Sequence, residues 1–353
     1  MILTLAANCL KPLLAPGGGE RQLSLGDLPA FTRETLGLGG LTLTTDMLAG
    51  SGRTQLEKLR ERADRAGCSV LLLFEPEPQP LGTPSEDAAE AAVNRLLRVI
   101  EASQLLGCSS TALRIKSDSS AESIENVVDR LRQIVEAAER YDLNVLVQPS
   151  PGLTEQPESL TDLIKRVGGF RVGTFPEFET AVAHKEPIAY LRRLTPYASA
   201  VLATTREFYP DGEAKPPPPI LDTGRSAKKK AAKDEDEPKP ARKGGRKPKV
   251  VEAAPAPPPK PVIEDDEELT DEEEMDIAQV LEELAAEGEA QAPLEPPEPP
   301  MVHPAFDLAA LIRAVKSVGY DSSVAVNYRG ADDPVAGVIR ARKALERLLA
   351  EQD

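Results

Sequence analysis

Short apolar runs recur along the chain, and most are followed by a turn and then by a longer amphipathic stretch. The runs are rich in Val, Leu and Ile, as in "SVLLLF" and "NVLVQ". The stretches carry apolar residues at helical spacing, as in "SIENVVDRLRQIVEAAERYD", for which Ser119 or Ser120 is placed to act as N-cap. Strands that alternate with helices pair in parallel, and nearly continuous apolar strands are buried on both faces. The pattern therefore predicts an α/β fold with a parallel sheet.

Eight runs of this kind predict eight strands, and eight strand-helix units predict a closed (β/α)₈ barrel, the TIM barrel. The first strand of such a barrel pairs with the last, so we expect residues 1–8 to lie beside residues 323–327. The eight runs, in chain order, are "MILTLAAN", "GLTLTT", "SVLLLF", "TALRIK", "NVLVQ", "FRVGTF", "SAVLATT" and "SSVAVN".

One segment interrupts the alternation between strand 7 and helix 7. Residues 210–302 contain "PPPP", a basic run "AKKKAAKDEDEPKPARKGGRKPK" and an acidic run "EDDEELTDEEEMD". Few large apolar residues are present to offset the entropy of ordering, so we expect a long, disordered, low-complexity insertion, charged and rich in proline. The barrel is then built from residues 1–209, which hold strands 1–7, and from residues 303–353, which complete it from helix 7 to helix 8.

Two features inside the insertion suggest partners. Residues 270–286 predict a short helix, since Thr270 can N-cap it and apolar residues form a stripe that a protein partner could bind. The basic run can bind nucleic acid weakly, or the neighbouring acidic run can neutralise it within a linker. Both interpretations of the basic run remain open.

Charge and cysteine content narrow the class of protein. A net charge of −16 disfavours nucleic acid as a partner of the whole molecule. Cys9, Cys68 and Cys108 lack CxxC spacing, which suits a reducing, cytoplasmic compartment rather than a disulfide framework. The first residues lack the basic n-region of a signal peptide, and no apolar run approaches the ~18 residues of a membrane span. We expect a cytoplasmic protein without a membrane partner.

Charged side chains follow several predicted strands, where barrel proteins keep their active-site loops. Glu75 follows strand 3 as a base or substrate contact, or within an exposed proline-rich loop. Arg114 and Lys116 alternate along strand 4, and Arg206 and Arg329 follow strands 7 and 8. These cations either bind a phosphate or a sugar acid or are solvated. The two histidines, His184 and His303, are either a repositioned ligand or general base or solvated surface residues, and the second interpretation is favoured because both lie away from strand tips.

Four segments together resemble the xylose isomerase-like TIM barrels, a superfamily of sugar phosphate isomerases and epimerases that also includes an apurinic endonuclease branch. They are "IVEAAERYDLNVLVQPSPG", "RVGTFPEFE", "LRRLTPYASAVLATT" and "AVKSVGYDSSVAVNYRGADDP". The last of these, around "GYDSSVAVNYRG", is the most specific. The resemblance covers the chain outside the insertion and implies the same barrel fold.

The resemblance implies that the family's metal ligands fall on Gln148, Glu177, Leu202 and Asn327. A divalent ion that polarises a sugar carbonyl needs charged oxygen donors and often an imidazole. Gln148 and Asn327 keep the shape of carboxylates without their charge, and Leu202 offers no donor. We therefore expect no metal cofactor, although a divalent ion would be the cofactor if the site proved functional.

Two functions from different classes remain. By resemblance the chain is a sugar phosphate isomerase or epimerase that moves a proton next to a carbonyl. The four ligand positions instead indicate that metal-dependent catalysis is lost, as in a pseudoenzyme. The alternative is therefore a non-catalytic barrel that binds a sugar or sugar phosphate, or that acts as a scaffold for protein partners through its insertion. The pocket candidates are Glu75, Arg114, Lys116, Gln148, Glu177, Arg206, Asn327 and Arg329.

Overall fold

Ten strands form in the part of the chain that the computed structural model describes, residues 1–14, 22–210 and 301–351. Eight of them make one parallel sheet, and β8 and β9 make a separate antiparallel ribbon. The strands are β1 (Ile2–Ala6), β2 (Gly40–Thr44), β3 (Ser69–Gln79), β4 (Ser110–Ile115), β5 (Asn144–Gln148), β6 (Val172–Thr174), β7 (Ala200–Thr205), β8 (Tyr209–Pro210), β9 (Met301–Val302) and β10 (Ser323–Tyr328).

Helices separate the strands of the parallel sheet. Ser120 accepts a hydrogen bond from the backbone N–H of Ser123 at 3.2 Å, so it is the serine that caps α5. The described helices are α1 (Lys11–Leu14), α2 (Leu28–Glu34), α3 (Arg53–Arg65), α4 (Glu86–Leu106), α5 (Ala121–Glu139), α6 (Pro157–Val167), α7 (Phe178–Ala183), α8 (Pro187–Leu194), α9 (Leu308–Lys316) and α10 (Pro334–Ala350). Within the described residues, no helix is both long and apolar enough to cross a membrane.

The strand order confirms the predicted TIM barrel. The hydrogen-bonded order is β6-β5-β4-β3-β2-β1-β10-β7, so the first strand pairs in parallel with the last barrel strand, from Ile2 opposite Ser323 onward. Parallel bridges from Thr174 to Ala198 and from Glu177 to Leu202 link the β6 segment with β7. Neighbouring parallel strands bring their carboxyl ends to one side of the barrel, where their last side chains meet.

Side chains along each strand point alternately into the barrel and toward the helices, which gives two apolar layers. Inward-facing residues form a small interior cluster: Ala6, Leu72, Phe74, Ala112, Leu146, Phe175, Ala200, Leu202 and Ala325. The opposite faces, with residues such as Leu73 and Val147, pack in a larger core that also includes the helices. Residues two positions beyond an inward-facing residue share its direction, because side chains alternate with period two. The next inward layer toward the carboxyl ends is polar and forms the candidate site.

The described chain stops at both sides of the predicted insertion. Residues 211–300 lie outside the described residues, and so does the short helix predicted near 270–286. The boundary residues are described: Tyr209 pairs with Val302, and Pro210 pairs with Met301, in the β8–β9 ribbon. Pro210, Met301 and Val302, which the sequence analysis placed within the insertion, therefore form a two-stranded stem at its base.

Candidate functional site

A buried polar layer joins the carboxyl ends of three neighbouring strands. Glu177 follows β6 and is the N-cap residue of α7, while Thr204 and Asn327 lie near the ends of β7 and β10. The Thr204 hydroxyl donates to Glu177 Oε1 at 2.8 Å and accepts from Asn327 Nδ2 at 2.9 Å. Asn8, just beyond β1, donates to Asn327 Oδ1 at 3.3 Å. The Thr204 hydroxyl thus connects the carboxylate of Glu177 with the amide of Asn327.

A second, more exposed layer lies two residues further along the same three segments. The Glu179 carboxylate contacts both arginines, forming an ion pair with Arg206 and accepting from Arg329 Nη1 at 2.8 Å. Arg206 Nη1 also donates to the backbone carbonyl of Arg329 at 3.2 Å. Because each arginine side chain is 42% exposed, water screens these pairs and each contributes little stability. Their effect is to fix the positions of the two guanidinium groups.

Arg114 and Gln148 complete the polar layer at the ends of β4 and β5. Arg114 Nε donates to Gln148 Oε1 at 2.6 Å, and the guanidinium carbon lies 5.5 Å from the centre of the Phe74 ring. Partial burial lowers the pKa of Arg114 from its ordinary value, and the positive charge of Arg329 adds to this, while Glu177 and Glu77 oppose it. The Arg114 cation thus lies in the electrostatic field of Glu177 and Arg329, the same cluster of charges.

Gln148 has a buried donor that finds no acceptor. Its side chain is fully buried, and its Nε2 has no hydrogen-bond partner among the described residues. The orientation of the amide is determined, since Arg114 Nε–H requires an acceptor and only Oε1 can accept. A buried N–H group without a partner is uncommon in proteins and indicates a missing acceptor.

Leu202 does not join the polar layer. It faces inward but packs in the apolar interior cluster, one layer below the carboxyl ends. Thr204, two residues later on the same strand face, makes the contacts with Glu177 and Asn327. Sequence analysis did not single out Thr204, because it considered only the position on strand 7 that the family resemblance implied, Leu202. The alternation of Ala200, Leu202 and Thr204 was the available signal.

Glu75 and Lys116 also lie apart from the cluster. Phe74 belongs to the interior cluster, so Glu75 faces the helices, where its fully buried carboxylate pairs with Arg95 of α4 at 2.6 Å. The placement of Glu75 in the pocket is therefore corrected. Successive side chains of a strand point to opposite faces, so Glu75, which follows the inward-facing Phe74, points away from the pocket. Lys116 is exposed beyond the end of β4, and its backbone N–H donates to the Gln79 carbonyl at 2.8 Å.

Neither histidine is a freely solvated side chain, as the sequence analysis interpreted them. His184 is half-buried and packs against the ring of Tyr190. Its Nε2 lies 3.1 Å from Gln156 Oε1. His303 is half-buried between Phe208 and Phe306, and its Nε2 accepts from the backbone N–H of Arg206 at 2.9 Å. His303 thus joins the end of the insertion to the segment that carries Arg206.

Two cavities lie away from this polar cluster. One, of about 250 Å³, opens at the amino-terminal ends of the strands and is lined by residues such as Ile2, Ser110 and Asn144. The other, of about 600 Å³, lies along the surface of α8 beside Pro187 and Arg192. Neither contains a residue of the cluster, so the candidate site rests on the chemistry of its side chains rather than on cavity size.

Comparisons with known proteins confirm the resemblance found in the sequence. Residues 34–194 match the family described as xylose isomerase-like TIM barrel. Among solved structures, L-ribulose 3-epimerase superposes with a TM-score of 0.61 at 11% identity, over 99% of this chain and 94% of that one. D-psicose 3-epimerase, solved with D-fructose, gives 0.60 at 9% identity over 99% and 100% of the two chains.

A third similar structure is that of the IolI protein, solved with a zinc atom, which gives a TM-score of 0.58 at 14% identity over 99% of this chain and 98% of that one. At such low identities these superpositions establish the fold alone. No curated protein sequence matches the chain.

Proposed function

We propose that this xylose isomerase-like TIM barrel binds a small sugar ligand at the carboxyl ends of its strands without a catalytic divalent ion. The observation that carries the proposal is the 2.6 Å hydrogen bond from Arg114 Nε to Gln148 Oε1. It places a side-chain cation next to the first of the four positions implied by the family resemblance. The sugar 3-epimerases among the similar structures support the class of ligand.

Three of the four positions have side-chain oxygens, all of these oxygens already accept hydrogen bonds, and only Glu177 is charged. Gln148 Oε1 accepts from Arg114, Asn327 Oδ1 accepts from Asn8, and both oxygens of Glu177 accept from threonine hydroxyls. Leu202 has no donor atom for a metal. Divalent ions require several charged oxygen or imidazole ligands to compensate for the loss of their own water. Within the described ranges, no group of three or more His, Cys, Asp or Glu side chains could hold an ion.

Glu177 is also poorly suited to act as a general base. Thr204 donates to one oxygen at 2.8 Å and Thr180 to the other at 3.1 Å, and Arg329 Nη2 lies 3.8 Å away. Both carboxylate oxygens thus already accept hydrogen bonds from the protein, whereas a general base has to present a free oxygen to the proton of the substrate. The isomerase or epimerase reaction implied by the resemblance therefore has less support than binding without catalysis.

Calorimetric titration of Mn²⁺ and Zn²⁺ into the purified protein tests the absence of a metal site. We expect no tight one-to-one binding in the natural protein, and no difference in Glu177→Gln, which keeps the shape of the side chain. Binding of D-fructose or L-ribulose, measured with and without EDTA, should be the same in both conditions. Tight metal binding that Glu177→Gln abolishes would show that the family's chemistry is retained.

We also propose that residues 211–300 serve as an interaction segment inserted between the two strands of the β8–β9 ribbon. The pairing of Tyr209 with Val302 holds the residues that flank the segment side by side, so the barrel does not need the segment to close. Replacement of residues 211–300 by a short Gly-Ser linker should leave the thermal unfolding midpoint of the barrel and its sugar binding unchanged. A barrel that fails to fold after the replacement would contradict this organisation.

A further inference from the structure

We infer that the ligand carries an anionic group, a carboxylate or a phosphate, that binds between the guanidinium of Arg114 and the side-chain amide of Gln148. The inference rests on the proposed sugar-binding function and names the class of ligand. Both side chains present hydrogen-bond donors that the described part of the chain leaves without acceptors.

Arg114 differs from the other arginines of the cluster in lacking an anionic partner. Arg206 and Arg329 share the carboxylate of Glu179, whereas no carboxylate of the described residues lies within 4.0 Å of the Arg114 guanidinium. The side chain is half-buried, and its hydrogen bond within the described residues is to a neutral amide. Removing a charge from water is unfavourable unless an opposite charge or several hydrogen bonds replace the solvent. The unpaired Arg114 cation therefore favours an anion from outside the chain.

Gln148 offers a second donor beside that cation. Its Oε1 is occupied by Arg114, so the buried Nε2 group can only donate, and no acceptor among the described residues reaches it. A neutral hydroxyl could satisfy one of these donors, but a group that carries two acceptor oxygens and a negative charge satisfies both together. The combination selects for an acceptor-rich anion.

The surroundings hold the guanidinium in place for such a ligand. The Phe74 ring lies beside the guanidinium, with 5.5 Å between the guanidinium carbon and the ring centre, and Phe175 packs edge-on against Phe74. A fixed, planar guanidinium binds the paired oxygens of a carboxylate or a phosphate better than a flexible ammonium group does. Glu177 and Glu77 act on Arg114 through their charge but form no ion pair with it, since Glu177 is held by two threonines and Glu77 is exposed to water.

Binding of charged and uncharged sugars tests the inference. The probes are D-glucuronate for a carboxylate, D-fructose 6-phosphate for a phosphate and D-fructose as the uncharged reference, with inorganic phosphate to detect binding of the anion alone. Charge-assisted hydrogen bonds predict that at least one charged sugar binds about tenfold or more tightly than D-fructose. The arm that shows this preference identifies which anionic group the site takes.

Gln148→Glu is the decisive variant, because it places an isosteric carboxylate where Arg114 already donates. The new internal ion pair should lower the affinity for the charged sugar by about tenfold or more and the affinity for D-fructose by a clearly smaller factor. Arg53→Gln is the matched control: it makes the same change in net charge at an exposed site on α3, where the arginine side chain is 74% exposed. It should change neither affinity.

The outcomes separate this inference from the proposed function. If D-fructose binds as tightly as both charged sugars, or if Gln148→Glu lowers no affinity for an anion, the inference is wrong while sugar binding stands. Failure of all four probes to bind the natural protein would overturn both. Arg114→Lys gives an independent check, since it keeps the positive charge and loses the paired donors of the planar guanidinium group. It should retain only part of the preference for the charged sugar.

Discussion

The backbone N–H of Arg206 donates to Nε2 of His303 at 2.9 Å, across 97 positions of sequence. The other ring nitrogen, Nδ1, lies 3.2 Å from the backbone carbonyl of Phe306 and must donate to it. Both contacts are satisfied together only by the neutral imidazole with its proton on Nδ1. His303 therefore links the base of the insertion to the segment whose Arg206 side chain contacts Glu179.

This link predicts that stability depends on the protonation of His303. Burial lowers the pKa of His303 below its ordinary value, and Arg206 adds to this, while the Phe306 carbonyl and Glu207 oppose it. The unfolded chain then binds the proton more readily, so the stabilisation is complete above about pH 6.5 and decreases as the pH falls below it. Thermal unfolding of the natural protein should show this decrease.

Two histidine variants test the assignment. His303→Gln should lose the part of the pH dependence between about pH 7.5 and pH 5 that His303 causes, whereas His184→Gln should retain it. Hydrogen exchange gives a local measurement, in which the Arg206 amide should lose protection at low pH relative to the Arg329 amide, which donates to the Thr205 carbonyl at 2.9 Å. An identical pH dependence in His303→Gln and the natural protein would show that another group is responsible.

Thr204 and Thr205 are adjacent and fully buried, yet only Thr204 has hydrogen-bond partners for its hydroxyl. Thr204→Val should destabilise the protein by about 1–3 kcal/mol, because it leaves Glu177 Oε1 and Asn327 Nδ2 without this partner. Thr205→Val should change the free energy of unfolding by less than about 0.5 kcal/mol or stabilise the protein, because its hydroxyl has no partner among the described residues. Urea unfolding measures both, and equal effects would contradict the polar layer described for Thr204.

The buried pair of Glu75 and Arg95 should contribute to stability and not to ligand binding. Arg95→Met leaves the Glu75 carboxylate buried without its cation and should cost about 1–3 kcal/mol, a range reduced because the arginine side chain is 46% exposed. Replacement of both residues by Met removes the unpaired charge, so the double variant should be more stable than Arg95→Met alone. Sugar affinity should stay unchanged in both variants. A loss of sugar affinity would return Glu75 to the pocket.

Gly337 lies in α10 against the buried ring of Tyr328, and a methyl group at this position would overlap the ring. Gly337→Ala should therefore destabilise the protein by about 1–3 kcal/mol, although alanine favours helices. Gly52→Ala is the control, since open space surrounds Gly52 at the start of α3 and its φ is −92°. It should cost less, about 0.5–1 kcal/mol, because alanine is a poorer N-cap residue than glycine but meets no neighbouring atoms here. Chemical unfolding that ranks the two variants in the opposite order would contradict the packing of α10 on β10.

The sequence by itself determined the alternation of strands and helices, the barrel and the pairing of the first strand with the last. These features depend on hydrophobic periods that each segment carries locally, and on the closure that eight such units require. The N-cap of α5 was narrowed to Ser119 or Ser120 in the same way, because capping involves residues close in sequence. The structure shows that it is Ser120. The polar residues at the ends of β4, β5, β7 and β10 were also visible in the sequence.

Only the tertiary structure decided which of those side chains meet. Glu75 lies one residue after the inward-facing Phe74, so its side chain points to the helices and not into the pocket. Leu202 and Thr204 lie two residues apart on the same face of β7, yet Leu202 packs in the apolar interior and Thr204 in the polar layer. The contact between His303 and Arg206 spans the whole insertion, and no local pattern encodes it. Hydrophobic periodicity specifies which face of an element is buried, whereas the partners of a polar side chain depend on register between distant segments, which the packed barrel fixes.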